Sequence, residues 1–176
     1  PGSPTSGVTG LTAGFSVTLR WTITSGTCTP SSSDVVLTNY ATPTVADAGP
    51  ATLTQCNNTT FTMSATPAAV GMGTWTLVSG TGTITNINSP TTTITGVTTT
   101  ATLRWTVGNG VCATTQDDII LTNDPLPTVS NAGAAINQCN NGSFTLAGNV
   151  AGVGTGLWSI VGAPNGAMIT TPGSPT

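Results

Sequence analysis

The sequence lacks the residues on which most enzyme active sites depend. Among its 176 residues there is no histidine, and both cationic residues are arginines, so lysine is absent as well. All five acidic residues are aspartates, which leaves no glutamate. General acid–base catalysis draws mainly on His, Glu, Asp and Lys, and a nucleophilic Ser, Thr or Cys needs a base beside it. We therefore expect a protein that is not an enzyme.

The scarcity of charge and of long apolar runs also narrows the range of partners. The net charge at pH 7 is −3, whereas nucleic-acid binding depends on a basic surface. Structural metal sites use histidine or closely spaced cysteine pairs, and the four cysteines form no C-x-x-C pair. No apolar run reaches the roughly 18 residues of a membrane-spanning helix. We therefore expect no nucleic-acid partner, no membrane span and no cofactor.

Threonine, glycine and proline are what the sequence has in abundance. Threonine outnumbers every other residue type, and there are 22 glycines and 12 prolines. β-Branched residues favour strands, while Gly and Pro favour tight turns. Because 37% of the residues are hydrophobic, the composition is the reverse of the disordered signature of low hydrophobicity and high net charge. It predicts a folded, all-β protein with many short strands.

An internal repeat organises the chain. Residues 20–22 recur as 104–106 and residues 34–39 recur as 118–123, while 55–58 recur as 138–141 and Trp75 recurs as Trp158. A unit of about 84 residues, the spacing of these matches, is too long for one coil of a solenoid and suits a small domain. The sequence therefore predicts a tandem array of similar domains.

Two proline-containing segments, 40–43 and 124–127, are the predicted linkers. They assign residues 1–42 to the C-terminal half of one repeat, 43–126 to a complete repeat and 127–176 to the N-terminal half of the next. The first five and the last five residues are the same, Pro-Gly-Ser-Pro-Thr, as expected if a repeating polymer continues on both sides.

Alternating apolar and polar residues within one repeat predict six or seven short strands, with turn signals about every 8–12 residues, which is typical of an immunoglobulin-like (Ig-like) antiparallel β-sandwich. The same alternation predicts the side chains that point into the core: Phe61, Met63, Trp75, Leu77, Ile84, Ile94, Leu103, Trp105, Val107, Ile119 and Leu121. We interpret Trp75 and Trp105 as core residues rather than sugar-stacking platforms.

The cysteines, two in each repeat, allow two disulfide patterns. In the first, Cys56 pairs with Cys112 inside the complete repeat, and Cys28 and Cys139 pair with cysteines outside this sequence. That bond would close a loop of about 56 residues and stabilise the domain by roughly 4 kcal/mol in the chain-entropy model. In the second, Cys28 pairs with Cys56 and Cys112 with Cys139, which cross-links neighbouring domains. Either pattern predicts an oxidising, extracellular compartment.

Few charged residues are left as site candidates. Arg104 and Asp118 lie on the same side of a predicted hairpin, and we expect them to form a structural ion pair; a contact of Arg104 with a neighbouring chain or ligand is the alternative. Asp117 and Asp118 are the candidate ligands if calcium binds at a domain junction, although calcium prefers six or more oxygen ligands and acids are scarce here.

A family resemblance covers the whole chain. The segments that carry it are 46–50 (Ala-Asp-Ala-Gly-Pro), 55–56 (Gln-Cys), 71–75 (Gly-Met-Gly-Thr-Trp), 79–82 (Ser-Gly-Thr-Gly), 102–106 (Thr-Leu-Arg-Trp-Thr) and 121–123 (Leu-Thr-Asn). They resemble the tandem Ig-like, PKD-like repeats of giant Bacteroidota cell-surface adhesins, which the type IX secretion system exports and which include gliding-type adhesins. The resemblance implies an extracellular, cell-surface β-sandwich array.

Two functions are compatible with these observations. The first is the stalk of a surface adhesin, whose repeats contact their neighbours in the chain and give reach, while domains outside this sequence bind a surface or a polysaccharide. The second is a structural protein of a filament, sheath or biofilm matrix, in which identical chains associate. The resemblance favours the first, and the low charge favours the second because near-neutral surfaces promote association.

Overall fold

The computed structural model describes residues 3–162 and 165–175 and is all-β, with no helix in those ranges. It follows that no described helix is long or apolar enough to cross a membrane. The strands are β1 (Phe15–Ile23), β2 (Ser31–Asn39), β3 (Thr52–Cys56), β4 (Phe61–Thr62), β5 (Met72–Gly80), β6 (Thr83–Ile84), β7 (Thr93–Thr95), β8 (Thr100–Gly108) and β9 (Thr115–Asp124). The repeated terminal pentapeptide includes Pro1, Gly2 and Thr176, which lie outside the described residues.

The chain divides into two compact units, Pro1–Asn123 and Asp124–Thr176. In the first unit β1 and β2 form a two-stranded sheet, a second sheet has the order β3-β9-β8-β5, and a third has the order β4-β7-β6. The pairs β1–β2, β4–β7, β5–β8, β6–β7 and β8–β9 are antiparallel. The domain boundaries drawn from the repeat stay predictions.

The chain around β3 follows the direction of β9. The Ile120 amide donates to the Ala51 carbonyl at 3.0 Å, and the Asn58 amide donates to Asn123 Oδ1 at 3.0 Å. Residue numbers therefore increase in the same direction along both segments, so the chain from 51 to 58 runs parallel to β9. Residue 51 lies near the middle of β9 and residue 58 near its end.

The four-stranded and three-stranded sheets share one hydrophobic core. Its buried members are Ala46, Ala48, Phe61, Met63, Ala65, Trp75, Ile94, Val97, Ala101, Leu103, Trp105, Val107, Ile119 and Leu121. β8 shows the cause most clearly, because alternate residues from Ala101 to Val107 are buried while their neighbours are not. Successive side chains of a strand point to opposite faces, so one face of the sheet closes the core and the other meets solvent.

Trp75 and Trp105 form the centre of this core. They are directly opposite each other in the β5–β8 pairing, and their ring centroids lie 5.1 Å apart at an interplanar angle of 45°. The Trp75 indole N–H donates to the Ser89 carbonyl at 3.1 Å. Gly73 makes room for the second ring, since a Cβ at that position would overlap Cζ2 of Trp105.

Leu77 differs from its predicted place in the core. It is 37% exposed, and the pairing of β5 with β8 shifts its register between Leu77 and Ser79. A bulge of this kind interrupts the alternation on which the prediction depended. Ile84 is half-buried against the core rather than inside it.

Exchanging Gly73 for Ala tests the packing at the centre of the core. The new methyl group must displace the Trp105 ring, and overpacking of this kind destabilises by about 1–3 kcal/mol. Urea unfolding of dilute protein, followed by tryptophan fluorescence, measures the loss. The matched control is Gly156→Ala, because Gly156 occupies the equivalent position in the next repeat and a Cβ there meets nothing within 4 Å. Equal effects of the two substitutions would contradict this description of the core.

Candidate functional site

Asp117 and Asp118, the two candidate calcium ligands, both contact other groups of the protein. Asp117 Oδ2 accepts a hydrogen bond from the Ala48 amide at 2.7 Å, and Asp118 is held by Arg104. Within the described ranges, no group of three or more His, Cys, Asp or Glu residues could hold a metal ion. The two candidate calcium ligands therefore hold the chain segment before β3 and the β8–β9 hairpin in place.

Arg104 and Asp118 lie directly opposite each other on β8 and β9 and form a two-point ion pair. Arg104 Nε donates to Asp118 Oδ1 at 2.7 Å, and a terminal guanidinium nitrogen donates to Oδ2 at 2.8 Å. The hydrogen bond to Arg104 holds the pKa of the Asp118 carboxyl below its ordinary value, against the opposing effect of desolvation. Arg20 and Asp34 make the same pair on β1 and β2, with Nε to Oδ1 at 2.7 Å.

The predicted Cys56–Cys112 disulfide is absent, and all four cysteines are unpaired. Cys56 ends β3, just before Asn58, whose amide contacts Asn123 at the far end of β9. Cys112 lies just before β9 begins, with its sulfur 3.5 Å from the Ala41 carbonyl. The two sulfurs are therefore at opposite ends of a strand that spans roughly 25–30 Å. Because β3, the first strand of this repeat, runs parallel to β9, its last strand, the two cysteines of the repeat lie apart.

The β1–β2 hairpin repeats the β8–β9 hairpin but leaves its apolar face uncovered. Its register, from Phe15 opposite Asn39 to Ile23 opposite Ser31, matches that of the equivalent residues of β8 and β9. Trp105 is 1% exposed, whereas its counterpart Trp21 is 43% exposed. The other uncovered or half-covered side chains of this face are Val17, Leu19, Ile23, Val35 and Leu37, the counterparts of Ala101, Leu103, Val107, Ile119 and Leu121. We call this surface the hairpin face.

The second unit keeps some of the hydrogen bonds of residues 43–90, although no strand is assigned in its described residues after Asp124. Five hydrogen bonds of 2.7–3.1 Å recur with equivalent partners: Thr44 N to Val70 O as Thr128 N to Val153 O, Thr66 N to Asp47 O as Asn149 N to Asn131 O, Ala65 N to Pro90 O as Gly148 N to Pro175 O, Trp75 N to Ile87 O as Trp158 N to Pro172 O, and Trp75 Nε1 to Ser89 O as Trp158 Nε1 to Ser174 O. These five hydrogen bonds of the larger unit therefore recur in the second one, although the equivalents of β3, β4 and β5 are not strands there.

Two open cavities lie in the second unit where the larger one has its core. The first, of about 360 Å³, is lined by Gly156 and Trp158 among others. The second, of about 640 Å³, is lined by Phe144 and Leu146 among others. Phe144 is 49% exposed, whereas its counterpart Phe61 is fully buried. We call this surface the open core of the second unit.

Comparison with known proteins adds no identification. No protein-family model matches the chain, and no curated protein matches it either.

The hairpin face and the open core were not predicted as sites from the sequence. The repeat predicts that residues 1–42 and 127–176 belong to other repeats than residues 43–126. That prediction did not extend to the exposure of Trp21 and Phe144 in this chain. The recurrence of residues 20–22 and 34–39, whose counterparts are buried in the central repeat, is the signal that could have found it.

The Arg104–Asp118 pair gives stability a defined dependence on pH. Because the folded-state pKa of Asp118 is lowered, the contribution of the pair is fully present above the ordinary value of 3.8 and is lost as the pH falls further. We expect Arg104→Gln to lower the urea midpoint slightly at pH 6, since exposed pairs contribute little, and to have no effect near pH 2. A difference from the wild type that is equal at both pH values would contradict this assignment. The matched control is Arg20→Gln, which removes the equivalent ion pair from the uncovered β1–β2 hairpin.

Proposed function

We propose that this chain is a non-enzymatic repeat segment of an extracellular array of Ig-like β-sandwich domains that forms the stalk of a cell-surface adhesin. The observation that carries the proposal is the double occurrence of one hairpin, β1–β2 and β8–β9, with the same register and the same Arg–Asp pair at equivalent positions of successive repeats. A repeated hairpin in a repeated sequence supports a modular array in preference to a single irregular domain.

The packing of residues 43–123 supports the Ig-like interpretation. Two sheets share one core, a tryptophan pair lies at its centre, and the chain around β3 runs parallel to the last strand. A buried tryptophan between two packed sheets is typical of this class of sandwich. Fold does not fix function, so the role in adhesion rests on the resemblance of the sequence motifs.

The segment that follows the first hairpin supports a mechanical role. The Asn109 side-chain amide donates to the Ala41 carbonyl at 2.8 Å. The ring of Tyr40 lies so close to Gly110 that a Cβ at that position would overlap it. The residues that join one repeat to the next are thus fixed by side-chain contacts to the β8–β9 turn. Linkers held in this way transmit force and limit bending, which a stalk requires.

A self-assembling filament or matrix protein is the second candidate function, and one specific observation favours it. The net charge is only −3, and both arginines are paired with aspartates, so little free charge is left on the described residues. Near-neutral surfaces promote association between copies. In this function the ligand of each copy is another copy, whereas in the stalk the binding domains lie elsewhere in the protein.

Electron imaging of the native material distinguishes the two functions. The stalk predicts a thread one domain wide with an axial repeat of roughly 40 Å, since strands of seven or eight residues span about 25 Å before turns are added. The thread should be unchanged when the material is diluted. A fibre several chains wide would exclude the stalk and support the filament, and material without any axial repeat would contradict both.

A further inference from the structure

We propose that each repeat is joined to the next by a disulfide bond across their junction, between the equivalent of Cys56 in one repeat and the equivalent of Cys112 in the repeat that follows. The partner of Cys112 is then a cysteine of the repeat to which β1 and β2 belong. The inference rests on the tandem array of the proposed function. It goes beyond that function by assigning a second covalent connection between neighbouring domains.

Cys112 lies at the junction itself, beside the residues that lead out of β2. Its thiol donates to the Ala41 carbonyl at 3.5 Å and lies 3.7 Å from the Tyr40 carbonyl. The Asn109 side-chain amide donates to the same Ala41 carbonyl at 2.8 Å. The turn between β8 and β9 therefore holds the sulfur of Cys112 against the end of the preceding repeat.

Cys56 lies at the other end of the central repeat. It is the last residue of β3, and the amide of Asn58, two residues later, donates to Asn123 Oδ1 at 3.0 Å. Asn123 is the last residue but one of β9, so Cys56 lies close to the point where the repeat ends. Each repeat thus has one cysteine where the chain enters it and one where the chain leaves it.

Asn39 has the place of Asn123 in the preceding repeat and makes the same contact. The Asn39 side-chain amide donates to the Leu11 carbonyl at 2.8 Å, as the Asn123 side-chain amide donates to the Val97 carbonyl at 2.9 Å. The Oδ1 atom of Asn39 is therefore oriented to accept the backbone amide that follows the Cys56 equivalent of that repeat. This contact would bring that cysteine to residue 39.

The two cysteines converge on one short segment, residues 39–41. Residues 39 and 41 are separated by at most about 7 Å, because an extended chain advances roughly 3.5 Å per residue. A disulfide bond joins residues whose Cα atoms lie about 4.4–6.8 Å apart. The cysteine that leaves one repeat and the cysteine that enters the next are therefore placed at the separation that a disulfide bridges.

The other pairings require much longer distances. Cys28 lies in the turn between β1 and β2, as Cys112 lies in the turn between β8 and β9, and this turn is at the end of the hairpin away from Asn39. A strand of nine residues spans roughly 30 Å. Cys28 is therefore a strand length from the junction, and Cys56 lies beyond the junction at the far end of the next repeat.

The thiols are accessible for this reaction, since Cys56 is exposed and Cys112 is only half-buried. Formation of the bond removes one proton and one electron from each thiol and joins the two sulfur atoms. A small disulfide or the oxidised dithiol of an exchange protein accepts them and is reduced to two thiols. Disulfides form and persist in oxidising, extracellular surroundings, which the proposed function provides.

A chain with one complete junction tests the proposal. Residues 127–171 are placed ahead of Pro1, and the join adds no foreign residue because residues 172–176 are identical to residues 1–5. The extended chain has the four original cysteines and a second copy of Cys139, which is the Cys56 equivalent of the repeat that ends with β2. The protein is oxidised in a glutathione buffer, and its disulfides are mapped by mass spectrometry without reduction.

We expect one disulfide, between the added copy of Cys139 and Cys112, while the other three cysteines stay outside any protein disulfide. Pairing within each repeat, or pairing of Cys28 with Cys56 and of Cys112 with the original Cys139, would instead form two disulfides. The count and the linked peptides therefore distinguish the three patterns.

Matched variants identify the two sulfurs. In the extended chain Cys112→Ser should abolish the disulfide, whereas Cys28→Ser and Cys56→Ser should leave it in place. The 176-residue chain without the extension should form no disulfide within one molecule, because the partner of Cys112 is not part of it. No disulfide in the extended chain, or one that survives Cys112→Ser, would overturn the proposal. That result, together with a regular axial repeat in the native material, would reject the junction disulfide and leave the proposed stalk intact.

Discussion

The contact of the Trp105 ring with Gly73 and Trp75 is the constraint on which the rest of the structure depends. It joins β8 to β5, and through β9 it joins the last hairpin to the chain that leads into β3. Without this hairpin, the first half of a repeat keeps its hydrogen bonds but leaves Phe144 uncovered. Without the first half, the hairpin keeps its register but leaves Trp21 uncovered. Each half is therefore locally ordered, and the core exists only when both are present.

The protein obtains its order with very few charges. Apart from the two Arg–Asp pairs, side-chain hydrogen bonds to the backbone fix its loops, as Asp47 does with the Gly49 amide at 2.9 Å. Asn131 makes the same 2.9 Å contact with the Gly133 amide in the next repeat. The carboxylate can thus be exchanged for a neutral amide with the turn retained. Hydrogen bonding by neutral groups does not depend on salt or pH as ion pairs do.

Much of this fold could be predicted from the sequence. Alternation along a strand places Phe61, Leu103 and Ile119 in the core, and the opposition of Arg104 and Asp118 follows from the same period of two. Leu77 could not be placed, because a bulge has no clear sequence signal. The buried alanines, such as Ala48, were missed because small residues carry little hydrophobic signal although they allow close packing. The cysteines could not be assigned because connectivity depends on whether the first strand is parallel or antiparallel to the last one.

Amide hydrogen exchange of this chain tests the central claim, that the core forms only where a hairpin and the first half of a repeat meet around the Trp105 ring. We expect β5, β8 and β9 to be far better protected than β1, β2 and residues 155–160, because Trp105 is buried and its counterpart Trp21 is exposed. Equal protection of the two hairpins would contradict this account.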